Sequence, residues 1–185
     1  MALPESAAGT MDASERHRRF REVFEAEFDY VWATLRRLGV DARELEDVAQ
    51  DVFVSVYRRL DSYDRARPLR PWLFAFAFRC AADWRRLARH RIEVLTDCEK
   101  RPSASPAADD VVAHAEERVL VQHALDAVPV ARRAVLVLHD FDEVPMKQIA
   151  RALSIPLFTT YSRLRVARRE FGEAVRRLRA ERGLR

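Results

Sequence analysis

A chain of 185 residues with 33 Lys plus Arg against 29 Asp plus Glu has room for one domain or two small ones, and its net charge of +4 is too modest for the whole surface to act as a polycation. Two cysteines, Cys80 and Cys98, with no C-x-x-C pair and no histidine at ligand spacing, exclude a disulfide framework and a zinc site. No charged start leads into a long apolar core, and the most apolar run, Trp72 to Ala82, is short and interrupted by Arg79, so no membrane insertion is expected and the default compartment is cytoplasmic.

The first dozen residues, rich in Ala, Ser, Gly and Pro, read as a loose tail, taken as 1–17. From Phe20 the apolar positions Phe20, Phe24, Phe28, Val31, Trp32, Leu35 and Leu38 recur at helical spacing, and Gly39 ends the helix. Asp41 with Glu44 is the pattern of a capping box opening a second helix, whose buried stripe is Leu45, Val48, Ala49, Val52, Phe53, Val56 and Leu60. A third helix begins near Pro71 and buries Trp72, Leu73, Ala75, Phe76, Ala82 and Leu87. Between Ile92 and Asp110 prolines, serines and a run of Ala and Asp leave no apolar face, which reads as a tether. Periodicity resumes over Val112 to Val128, breaks at Pro129 and continues over Ala131 to His139. No segment of useful length alternates as a strand, so the fold class is all-α: a helical bundle of residues 18–91, a linker of 92–113 and a second helical domain of 114–182.

In the second domain, Pro145 opens a short helix anchored by Ile149 and Leu153, Ser154-Ile155-Pro156 makes a turn, and a Thr/Ser/Arg-rich helix follows from Leu157: the pattern of a helix-turn-helix, which points to DNA. Its phase turns Thr160, Leu164, Ala167, Phe171, Val175 and Leu178 inward, and Tyr161, Ser162, Arg165 and Arg169 outward. Arg165 suits bidentate pairing with guanine, whereas Thr159, Arg163 and Arg168 suit phosphate contacts or pairing along the helix surface. Phe158 either packs on a thymine methyl or is buried against Phe141, and burial is the first expectation.

In the first domain, Glu44, Asp47 and Asp51 share one face of the second helix, with Gln50 beside it. Like charges on one face repel, which a basic partner would relieve; an ordinary solvated face is the alternative. The third helix carries Arg79, Asp83, Trp84, Arg85, Arg86, Arg89, His90 and Arg91, a row able to pair with phosphates, while Trp84 serves as a platform for an unstacked base or completes the bundle core. The loop Asp61 to Arg70 adds Tyr63, Arg65 and Arg67.

Three motifs, in order, resemble the bacterial extracytoplasmic-function (ECF) sigma factors, the small sigma-70 members that keep only the second and fourth conserved regions. They are Glu44-Leu45-Glu46-Asp47-Val48-Ala49-Gln50-Asp51-Val52-Phe53, then Arg70-Pro71-Trp72-Leu73-Phe74, then the helix-turn-helix ending Ser162-Arg163-Leu164. The resemblance spans Phe20 to Arg91 and Glu116 to Arg179. It implies a specificity subunit, not an enzyme, with no cofactor and no metal. Residues 18–91 would bind core RNA polymerase and read and melt the −10 promoter element, and residues 114–182 would read the −35 element. Asp47, Gln50 and Asp51 would face the clamp helices of the largest polymerase subunit, with the flap as a further polymerase contact. Tyr63, Arg65, Arg79, Cys80, Asp83, Trp84, Arg85, Arg86 and Arg89 would hold −10 DNA, and Phe158, Thr159, Tyr161, Ser162, Arg163, Arg165, Arg168 and Arg169 would meet −35 DNA. An anti-sigma factor is a further implied partner. Two departures stand out: Cys80 replaces the usual Asn, and Phe158-Thr159-Thr160 replaces a frequent Gly-Thr-Val. The competing reading is a helix-turn-helix regulator that does not join the polymerase, although the first half supplies neither a ligand pocket nor a phosphoacceptor sheet. A helical enzyme is disfavoured by dispersed histidines and by the lack of a Gly-rich phosphate loop.

Overall fold

The computed structural model describes residues 12–94 and 112–182, and all of their regular structure is helical. Seven α-helices follow in order: α1 (Ala13–Arg37), α2 (Leu45–Arg59), α3 (Leu69–Val94), α4 (Val112–Asp126), α5 (Val130–Leu136), α6 (Met146–Ala152) and α7 (Leu157–Glu181). A 3-10 turn at Leu60–Ser62 closes α2, and a π turn at Val137–Phe141 prolongs α5.

The aromatic and aliphatic stripe of α1 packs against α2 and α3, burying Val31, Leu35, Val48, Val52, Val56, Leu73, Phe74 and Ala77. Gly39 ends α1 because the chain turns there through φ +83°, a left-handed conformation that glycine adopts without a Cβ clash. Its N–H donates to Arg36 O at 2.9 Å and the Val40 N–H to Leu35 O at 3.1 Å, closing a Schellman turn. The same turn recurs between α6 and α7, where the Ser154 N–H donates to Arg151 O at 3.2 Å and the Ile155 N–H to Ala150 O at 3.0 Å. Here Ser154 holds φ +53°, a left-handed conformation that costs a non-glycine residue about 1 kcal/mol, in the turn that joins the two helices.

Several local expectations are corrected. Helix α1 begins at Ala13, inside the stretch expected to be a tail; residues 1–11 lie outside the described residues. The capping box at Asp41 and Glu44 does not form. The Asp41 carboxylate instead accepts the Arg43 N–H at 2.9 Å, an Asx-type turn that delays α2 to Leu45. Helix α3 starts at Leu69, ahead of Pro71, and Leu87 is 56 % exposed because helical phase puts it on the outer face with Asp83, while Trp84 and Ala88 turn toward the core. Backbone helix at the end of α3 and the start of α4 reaches into the expected linker, of which residues 95–111, with Cys98, lie outside the described residues. Toward the end of α7 it is Ala174 that is buried, while Val175 is half-buried.

The two helical halves pack against each other. Buried side chains form one cluster that runs from Val31 and Leu35 through Leu73 and Phe74 to Leu125, Leu138, Ile149 and Leu164. Polar contacts lock the halves together along the C-terminal end of α1. Tyr30 Oη donates to Asp142 Oδ2 at 2.8 Å, Arg37 Nη1 donates to Asp142 Oδ1 at 3.3 Å, and Gln122 Nε2 donates to Arg36 O at 2.8 Å. Burial raises the Asp142 carboxyl above the usual aspartate range, only partly offset by the Tyr30 hydroxyl and the Arg37 guanidinium, and burial beside Asp142 raises Tyr30.

Candidate functional site

Three surfaces carry the expected functional residues. On α2, Asp47, Gln50 and Asp51 are all exposed. Among the described residues no cation pairs with Glu44, Glu46, Asp47 or Asp51, although the chain holds 33 Lys and Arg. Phe53 is buried, as its place in the apolar stripe requires. A groove of about 620 Å³ runs beside Gln50, lined by Phe20, Phe24, Phe28, Trp32 and Phe53. It escaped the sequence reading because the α1 aromatics carry the spacing of an ordinary core stripe.

The second surface divides the residues expected at −10 DNA. Helical phase puts Trp72, Phe76, Arg79, Asp83 and Arg86 of α3 on one face. Arg79 lies over the Phe76 ring, 4.7 Å from its centroid, and Trp72 packs against Phe76 at 4.7 Å and against Tyr63 at 4.8 Å. Tyr63 is held by its hydroxyl, which donates to Arg67 O at 2.5 Å, and burial raises its pKa. Arg65 is exposed in the loop, and Arg86 pairs with Asp83 at 3.3 Å. Burial, with Arg59 nearby, lowers the Arg79 pKa. Arg59, Arg67 and Arg79 share a cleft of about 340 Å³ with Arg151 and Gln148 of α6, so the second half of the chain covers part of this face. Arg59 and Arg151 had no sequence signal, since only the packing of α3 on α6 brings them together.

Trp84 and Arg85 turn to other sides of α3. Trp84 is partly buried against the common core, the packing alternative raised above, and Arg85 reaches the Gly39 turn, where its Nη2 would stand 2.5 Å from a Cβ. Arg89, His90 and Arg91 have side chains outside the described residues. Cys80 is half-buried, and burial, with Asp51 nearby, pushes its thiol from the ordinary 9.0 up to about 11. At pH 8 it is expected to alkylate about a hundredfold more slowly than an ordinary thiol, because so little thiolate is present; timed iodoacetamide labelling with peptide mapping checks this.

The third surface is α7. Thr160, Leu164 and Ala167 are buried, while Phe158, Tyr161, Ser162, Arg165, Arg168 and Arg169 are exposed and Thr159 and Arg163 are half-buried. The inward and outward phase read from the sequence therefore holds. Arg168 is engaged along the protein surface: its Nε donates to Asp140 Oδ2 at 2.8 Å and its Nη2 to Asp140 Oδ1 at 2.5 Å, which also holds the Asp140 carboxyl below its usual range. Burial of Phe158 against Phe141 does not occur. Phe158 is 83 % exposed, and Phe141 instead lies under the Arg37 guanidinium, 5.2 Å from its ring centroid.

An exposed acidic stripe on one half and a helix-turn-helix with a basic outer face on the other are the marks of a DNA-binding protein with a second, acidic surface. The family models for Sigma-70 region 2 and Sigma-70, region 4 match residues 23–91 and 118–171. The chain is 30 % identical over 148 residues to the ECF RNA polymerase sigma factor SigL of Mycobacterium tuberculosis, covering 80 % of this chain and 83 % of that protein. A shorter match, 38 % over 56 residues, joins it to the RNA polymerase sigma factor CnrH of Cupriavidus metallidurans, covering 30 % of this chain and 29 % of that protein. The fold is shared with CnrH in complex with the cytosolic domain of CnrY (TM-score 0.62, 23 % identity, 87 % of this chain and 90 % of that one). It is shared also with RpoE of Bartonella quintana in complex with the anti-sigma factor NepR (TM-score 0.69, 18 % identity, 86 % of this chain and 98 % of that one). This chain belongs to the ECF sigma factors of the sigma-70 family. It is accordingly a specificity subunit that binds core RNA polymerase and directs promoter-specific initiation, while the chemistry of RNA synthesis stays with the polymerase.

Proposed function

We propose that the three surfaces divide the sigma function among them. The α2 stripe of Asp47, Gln50 and Asp51 docks on the clamp helices of the largest polymerase subunit. The α3 face of Arg79, Asp83 and Arg86, with the Tyr63–Arg67 loop, receives the −10 element and its melted strand. The outer face of α7 reads the −35 element, with the polymerase flap alongside residues 114–182. The observation that carries this division is the unpaired acidic stripe on α2: in so arginine-rich a chain, acids left without an internal cation are available to a basic partner.

Helix α7 presents Ser162 and Arg165 from its second and third turns, where a recognition helix meets base edges, and Arg176 far along the same helix. Arg165→Ala is expected to lower discrimination between promoter and scrambled −35 DNA by about tenfold, whereas Arg176→Ala weakens both DNAs alike. Binding of the reconstituted holoenzyme at fixed salt measures this, and equal losses on the two DNAs for Arg165→Ala would remove it from base reading.

No helix among the described residues is long and apolar enough to cross a membrane. A cytoplasmic location follows from the polymerase partnership. CnrH and RpoE were each solved with a bound partner, the cytosolic domain of CnrY and the anti-sigma factor NepR, and an anti-sigma factor is proposed here by analogy.

A further inference from the structure

Phe158 stands out on α7 as a large apolar side chain that the fold does not use. It is 83 % exposed, makes no ring contact among the described residues, and has Leu157 at 38 % and Tyr161 at 57 % exposure beside it. Opposite the buried Thr160, Leu164 and Ala167, helical phase aligns Phe158, Ser162, Arg165 and Arg169 in a single stripe. The stripe therefore begins with a ring in the first turn, continues with a hydroxyl and ends in guanidinium groups. An apolar protein partner would meet those charges at a desolvation cost, whereas the major groove of DNA offers them phosphates and guanine edges. For the ring, the groove offers one apolar feature, the C5-methyl of thymine.

We propose that Phe158 is a specificity-determining residue that selects a T·A pair in the −35 element by packing its ring on the thymine methyl. This rests on the reading of α7 as the −35 helix and deepens it. The first-turn placement assigns the contact to the end of the element facing the N-terminus of α7, with Arg165 reading further along. Burying one methyl group predicts a modest but position-specific preference of about threefold to tenfold.

Deoxyuridine isolates that contact, since it removes the methyl and leaves every hydrogen-bonding group in place. Holoenzyme reconstituted from this chain and core polymerase would select from a duplex library randomised upstream of a constant −10 segment, prepared once with thymidine and once with deoxyuridine. The wild-type chain should show one T preference that disappears from the deoxyuridine library, and Phe158→Ala should lose it from both while keeping the guanine preference. Phe158→Leu, which retains an apolar contact, should keep part of it. No methyl-dependent position with the wild-type chain, or one that persists in Phe158→Ala, would overturn the assignment to Phe158. If Arg165→Ala and Phe158→Ala both left the whole upstream preference intact, α7 itself would not be the reader and both proposals would fall together.

Discussion

Asp51→Arg is expected to weaken binding to core polymerase by at least about tenfold and to abolish initiation dependent on this chain, without unfolding it. Asp51 is exposed on α2 and no cation pairs with it among the described residues, so reversing its charge removes no internal contact. Surface substitutions of this kind shift stability by about 0.5 kcal/mol or less. At the interface, however, a new cation set against a basic surface produces repulsion instead of attraction, and like-charge juxtaposition costs several kcal/mol. Asp47→Arg should behave similarly, because it lies one turn earlier on the same stripe. Copurification with core polymerase and run-off transcription measure the loss, and circular dichroism with thermal melting verifies the fold. Binding at wild-type strength by a folded Asp51→Arg chain would detach this stripe from the polymerase.

The second large effect belongs to stability. Arg133 is fully buried, an unusual place for a guanidinium. Its Nη1 donates to Asp126 Oδ1 at 2.8 Å and to Arg37 O at 3.4 Å, and its Nε donates to Val128 O at 3.1 Å, so one side chain ties α5 to α4 and to the end of α1. Burial, with Arg85 nearby, lowers its pKa to about 10, only partly offset by Asp126, which means that the fold bears a cost for holding the charge. Nη2 is buried with no partner among the described residues, adding to that cost. Arg133→Ala should therefore destabilise the chain by about 3 kcal/mol, since it opens a cavity and strands two carbonyls. For a chain of this size that is a fall of roughly 6–12 °C in melting temperature. Arg133→Met fills the volume but donates to neither carbonyl, so it should recover only the cavity part of the loss. Calorimetry of the three chains decides the matter: an Ala variant that melts with the wild type would show that Arg133 does not hold the halves together.

Helix phase was legible because burial of one face leaves a periodic trace. The α7 pattern told Thr160, Leu164 and Ala167 from Ser162, Arg165 and Arg169, and the structure keeps that division. Local turn chemistry was less legible: Asp41 and Glu44 match a capping box, yet Asp41 bonds to the Arg43 N–H instead, because an Asp side chain satisfies either the helix start or an Asx-type turn two residues on. Side chains whose fate depends on a distant element were not legible. Phe158 and Phe141 had the chemistry of a buried pair, but Phe141 is taken by Arg37 of α1, and Arg85 joins the Gly39 turn in place of the Arg79 face.

The sequence by itself determined an all-helical chain, the buried faces of its main helices, the ordered motifs of an ECF sigma factor and the outward face of the recognition helix, because each is written in local periodicity and spacing. Only the tertiary structure decided that the two halves share one core, that Arg133 and Asp142 join them, that α6 covers part of the Arg79 face and that Phe158 stands in solvent. Those outcomes depend on competition for the same buried partners between segments far apart in the chain, and no window of sequence contains both competitors.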